Sequence, residues 1–118
     1  MKTIKEVIEA YLDGAYKGDT KLLSQVFAED AILKGFIDGK YLTISIVDFI
    51  KGFETEPSME SKNIDFKGEI IEINENGSIA SVTVKETNYA GALNFIDYFH
   101  LGKIDDKWKI MFKTFTTI

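Results

Sequence analysis

The sequence predicts an α+β fold, a long-stranded, largely antiparallel sheet packed on three N-terminal helices. Two observations carry this. Behind Thr3, Asp19 and Ser45 apolar residues recur at helical spacing, whereas from Ile64 onward the period is two and the runs are punctuated by Asn76-Gly77, Ala90-Gly91 and Asp105-Asp106, each a short hairpin signal.

Thr3-Ile4-Lys5-Glu6 has the form of a capping box, and Ile4, Val7, Ile8, Tyr11, Leu12 and Ala15 follow on one stripe. Gly14 inside this helix costs about 1 kcal/mol relative to Ala, so something is expected to pack closely there. Gly18 ends the helix, and Asp19 caps a short second one with Leu22, Leu23, Val26 and Phe27 as its apolar positions. From Ala31 to Ile44 the sequence reads as two short edge strands around Asp38-Gly39. Ser45 caps a third helix with Ile46, Phe49, Ile50 and Phe53 inward, which stops near Pro57, the only proline. A mobile loop is expected from Thr55 to Lys62. Long strands follow through Ile64–Ile73, Ser78–Tyr89 and the final hairpin from Ala92 to Ile118.

Straight counting outward from Asp105-Asp106 sets Leu101 opposite Ile110, Phe99 opposite Phe112 and Asp97 opposite Thr114. Counting across Ala90-Gly91 sets Val82 opposite Phe99, Val84 opposite Asp97 and Glu86 opposite Phe95. One face then carries Ala80, Val82, Val84, Glu86, Leu93, Phe95, Asp97, Phe99, Leu101, Trp108, Ile110, Phe112, Thr114 and Thr116. It is apolar near the last turn and polar at the other end, as where a sheet leaves a core and begins to line a pocket. The register of strand 64–73 stays open, because a one-residue bulge would exchange Ile71 and Ile73 for Ile70 and Phe66 on that face.

The chain of 118 residues, 45% hydrophobic and 28% charged, is long enough for a single domain spanning 1–118 with one core. No apolar run is long enough to span a bilayer and the start MKTIKEVIEA lacks a signal-peptide core, so a cytoplasmic location is expected. With one His and no Cys a metal site is not expected. A formal charge of -5 argues against a nucleic-acid or membrane partner. Every basic residue is Lys, so an anion would have to be held without a guanidinium fork. No glycine-rich phosphate loop follows a strand, and no cofactor is expected.

The runs YLDGAYKGD (Tyr11–Asp19), FAEDAILKG (Phe27–Gly35), Ser45–Phe49, Ala80 in IASV, and DYFHLGKIDDKWKIMFK (Asp97–Lys113) fall in a familiar order. Nearly the whole chain resembles the nuclear transport factor 2-like (NTF2-like, SnoaL-like) superfamily and, within it, the putative lumazine-binding family. The resemblance implies a cone-shaped, curved sheet with a pocket at its wide end, a small-molecule ligand, and a homodimer formed through the convex sheet face.

Asp97 is the most informative polar residue, since a carboxylate between Phe95 and Phe99 must be hydrogen-bonded, paired or protonated. Either Thr114, a Tyr, backbone groups or a lysine such as Lys34 satisfies it structurally, or it orients a ligand. Glu86 lies diagonally across from it, close enough for the two to share a proton and supply an acid and a base, unless Glu86 simply faces solvent. Tyr11, Tyr16 and Tyr41 offer hydroxyls, with the Tyr11 ring in the core. The candidate ligand site is therefore Asp97, Glu86, Tyr11, Phe95, Thr114 and Thr116. His100 belongs to the opposite face with Ile96, Tyr98, Met111, Lys113 and Phe115, the expected dimer surface. Three readings follow: a binding module for a small, partly apolar, ring-shaped molecule, a cofactor-independent isomerase, dehydratase or cyclase using a pocket carboxylate, or a purely structural or interaction domain.

Overall fold

The computed structural model describes residues 3–118. Three helices, α1 (Ile4–Lys17), α2 (Thr20–Val26) and α3 (Ile46–Thr55), accompany six strands, β1 (Phe27–Ile37), β2 (Lys40–Ser45), β3 (Lys67–Asn76), β4 (Ile79–Tyr89), β5 (Leu93–Ile104) and β6 (Lys107–Thr117).

The helices begin where the capping residues stand. Thr3 Oγ1 accepts from the Glu6 N–H while the Glu6 carboxylate accepts from the Thr3 N–H, Asp19 caps α2 through the Leu22 N–H, and Ser45 caps α3 through the Asp48 N–H. The expected close approach at Gly14 is α2: a Cβ there would lie 3.1 Å from the Leu23 side chain. α1 buries Ile4, Val7, Ile8, Tyr11 and Ala15 against the sheet, and no helix among the described residues is long and apolar enough to cross a membrane.

The sheet is open and mixed, in the order β2-β1-β6-β5-β4-β3, antiparallel throughout except for the parallel pair β1 and β6. β1 is therefore interior, correcting the expectation of two edge strands around Asp38-Gly39. Its first residue is Phe27, which the helical spacing had assigned to α2; the strand begins early because Phe27 pairs with Ile110 of β6. The turns at Asp38-Gly39 and Asp105-Asp106 fall where the sequence places them, the latter pair at φ 49° and 64° in the left-handed conformation that a two-residue hairpin demands, whereas the β3–β4 turn is Gly77-Ser78, one residue later than Asn76-Gly77, and the β4–β5 turn takes in Ala92 as well as Ala90-Gly91.

Counting across the β4–β5 turn is correct: Val82 faces Phe99, Val84 faces Asp97 and Glu86 faces Phe95. Counting from Asp105-Asp106 is correct only as far as Leu101 opposite Ile110. There a bulge adds one residue to β6, so that His100 faces Phe112, Phe99 faces Lys113 and Asp97 faces Phe115. Every side chain beyond the bulge changes face. Lys113 and Phe115, expected on the partner-facing side, are buried inside, while Phe112, Thr114 and Thr116 turn to the outer side. Gly102 makes room for this, because a Cβ there would lie 2.6 Å from Met111 Sδ, so the extra side chain lies across the backbone of β5. β3 carries the weighed bulge too, between Ile70 and Glu72, leaving Ile71 exposed while Ile70 packs against the core.

Candidate functional site

Alternation along β4 and β5 sends Glu86 and Asp97 inward among apolar neighbours, and the bulge in β6 brings Lys113 between them and α1. All three are buried, at 1%, 0% and 6% exposure. Such a cluster is stable only if its charges compensate. The Lys113 ammonium lies 3.6 Å from Asp97 Oδ2 and donates a 2.7 Å hydrogen bond to the Tyr11 hydroxyl. It also faces the rings of Tyr11, Phe49, Phe115 and Phe99 at 5.0, 5.4, 5.4 and 5.6 Å from their centroids.

Two carboxylates against one ammonium leave one negative charge in excess. Written as two carboxylates, Glu86 Oε2 and both Asp97 oxygens have no hydrogen-bond partner among the described residues. A proton on Glu86 removes the excess charge and makes Glu86 a donor to Asp97. Accordingly burial first, then the hydrogen bond to Asp97 and its charge, hold the Glu86 pKa well above its ordinary value, with Lys113 opposing. The stability that this proton contributes is present below the unfolded pKa and is lost as pH rises through the raised folded one. Burial and the same carboxylates also raise the Tyr11 and Tyr89 hydroxyls.

Above this cluster opens a cleft of about 550 Å³. Its walls are Leu33, Phe49, Phe53, Phe95 and Phe115, and Glu86 and Lys113 are its deeply buried polar lining. Phe95 packs edge-on between Tyr89 and Phe115, at 5.7 and 5.9 Å, which fixes the ring that closes the sheet side. Asp48, Glu56 and Lys62 stand exposed at the mouth. The segment 56–66, which holds all but Thr55 of the stretch Thr55–Lys62 expected as a mobile loop, lies across the opening. It is tied by the Glu60 N–H to Tyr16 O at 3.0 Å, by Asn88 Nδ2 to Asp65 O at 3.2 Å, and by the Ala90 N–H to Met59 Sδ at 3.2 Å.

Of the residues singled out from sequence, Glu86 and Phe95 line the cleft, and Asp97 and Tyr11 lie behind its floor, reaching it through Lys113. Thr114 and Thr116 do not belong, since the bulge turns them to the outer face. Tyr16 stacks on Phe66, Tyr41 is exposed beside Phe36, and His100 is exposed on the outer face against Phe112. Straight counting missed Lys113 and Phe115. The one available signal was the run Ile110-Met111-Phe112, whose apolar residues cannot alternate cleanly, followed by the large ring of Phe115 in the opposite phase to Ile110.

The family model described as putative lumazine-binding matches residues 1–116. Among solved structures, an NTF2-like protein of unknown function from Silicibacter pomeroyi superposes with a TM-score of 0.86 at 24% identity, covering 98% of this chain and 92% of the other. NTF2-like proteins of unknown function from Methylobacillus flagellatus and Shewanella baltica give TM-scores of 0.82 and 0.82 at 27% and 26% identity, with 98% of this chain and 89% and 90% of theirs covered. No curated protein matches.

Proposed function

Since the chain belongs to the putative lumazine-binding family of NTF2-like proteins, we propose that it is a small-molecule-binding protein, a single domain acting in the cytoplasm. Its ligand is ring-shaped and partly apolar and lies in the cleft between α3, the segment 56–66 and the inner face of the sheet. One observation carries this reading: a cleft of about 550 Å³ walled by aromatic rings yet floored by the Glu86 and Lys113 side chains, a size and lining suited to a small ligand. The family's description, lumazine-binding, agrees with a ligand built on fused rings.

Native mass spectrometry of the purified protein tests for a co-purified small molecule. With a ligand in hand, Asp97→Asn is expected to weaken binding by about 1 kcal/mol or more, roughly a charged hydrogen bond, because Asp97 sets the charge of the floor. His100→Ala, on the other face, is expected to leave it unchanged. Equal affinity in Asp97→Asn with a large loss in His100→Ala would move the ligand to the outer face.

The raised pKa of Glu86, buried beside Asp97 and Lys113, favours a second reading, a cofactor-independent isomerase, dehydratase or cyclase with Glu86 as acid. A bound molecule recovered unchanged supports binding alone; its conversion to an isomer or a dehydrated product supports chemistry.

We further propose a homodimer through the outer sheet face. That face carries Ile96, Tyr98, His100 and Met111 as read from sequence, with Phe112 and Ile32 in place of the inward Phe115, and Tyr98 is 54% exposed. Tyr98→Asp is expected to shift the molecule from dimer to monomer in sedimentation at micromolar concentration. A monomeric wild type would end this proposal.

A further inference from the structure

The cleft holds an unmatched carboxylate. The charged and titratable side chains around Glu86 are Asp97 on β5, Lys113 on β6, Tyr11 on α1 and Tyr89 on β4. Lys113 is already committed, to Asp97 at 3.6 Å and the Tyr11 hydroxyl at 2.7 Å. Glu86 is thus the carboxylate without a counter-cation of its own, it lines the cleft, and once ionised its buried Oε2 has no hydrogen-bond partner among the described residues. The same cleft is lined by Phe49, Phe95, Phe115 and Tyr89, aromatic side chains of the kind that favour a cation. At the mouth the carboxylates of Asp48 and Glu56 outnumber Lys62, and the chain as a whole carries -5.

We propose that the ligand is a nitrogen base, an aromatic or ring-bearing molecule whose protonated nitrogen binds Glu86 at the inner end of the cleft. This deepens the binding reading above and rests on it. In the empty protein a proton balances Glu86; the ligand's ammonium takes its place, and that proton passes to solvent. The N–H···O bond forms as the Glu86 O–H bond breaks and with it the hydrogen bond from Glu86 to Asp97, and the charge of the buried cluster is the same before and after. A ligand anion has no such exchange available, because its charge would add to that of Asp97, with Lys113 the one buried cation among the described residues to balance both.

Three probes sharing one ring system separate the cases: tryptamine, the neutral 3-ethylindole and the anionic indole-3-propionate, titrated calorimetrically near neutral pH in two buffers of different ionisation enthalpy. Tryptamine is expected to bind at least about tenfold more tightly than 3-ethylindole, as a charged hydrogen bond in place of none implies, and to release protons as it binds. Glu86→Gln keeps the shape of the protonated side chain and is expected to melt near the wild type. In it the tenfold advantage and the proton release are both expected to disappear. Proton release by the wild type decides even if that variant folds poorly. Tighter binding of 3-ethylindole or indole-3-propionate than of tryptamine, or an advantage that persists in Glu86→Gln, overturns the nitrogen-base assignment and leaves the binding cleft standing. Failure of all three probes overturns both.

Discussion

Lys113→Met is expected to cost about 3–5 kcal/mol of stability at neutral pH, the penalty for stripping a buried ion of its partner. Met matches the stem but leaves Asp97, fully buried, without the ammonium 3.6 Å away, and Tyr11 without its 2.7 Å donor. The loss would remove a large part of the stability of an ordinary domain. A double change, Lys113→Met with Asp97→Asn, is expected to recover more than half of it, since the uncompensated charge disappears with its cause. Urea midpoints read both numbers. A cost below about 1 kcal/mol for the single change would place the measurement in the range of exposed ion pairs and refute the account of the floor.

Phe99→Ala is expected to cost about 3–5 kcal/mol, as for a large truncation in a core that cannot collapse around the void. Phe99 is fully buried, meets Tyr11 edge-on at 5.0 Å and presents its ring to Lys113 at 5.6 Å. His100, the next residue, is exposed on the outer face, and His100→Ala is expected to fall within about 0.5 kcal/mol of wild type. Similar midpoints for the two variants would show that the faces of β5 are assigned the wrong way round.

The contrast between these neighbours was legible in the sequence, because period-two alternation is enforced by the core and the β4–β5 turn pins its phase. The caps of all three helices were legible for the same local reason: a Ser, Thr or Asp side chain meets an N–H two or three residues ahead, whatever the rest of the chain does. Glu86 and Asp97 followed from alternation. Lys113 did not, because its position depends on an extra residue in β6, and a bulge leaves no residue signature as firm as Asn-Gly leaves for a turn. The interior place of β1 was hidden too. Its parallel partner lies some eighty residues away along the chain, and no local pattern reports a pairing over that distance.

The bulge in β6 bears on how the molecule can change over generations. A central strand is where an insertion or deletion is ordinarily ruinous, since losing one residue inverts everything downstream of it. Here the ladder already skips from Ile110 to Phe112, so Met111 is a residue the pairing does not count. A chain lacking it would still aim Lys113 and Phe115 inward and would lose only the local bend and the sulfur lying over Gly102. Descendants of this sequence can therefore vary by one residue in the middle of their sheet, altering its curvature while inheriting the floor of the cleft intact.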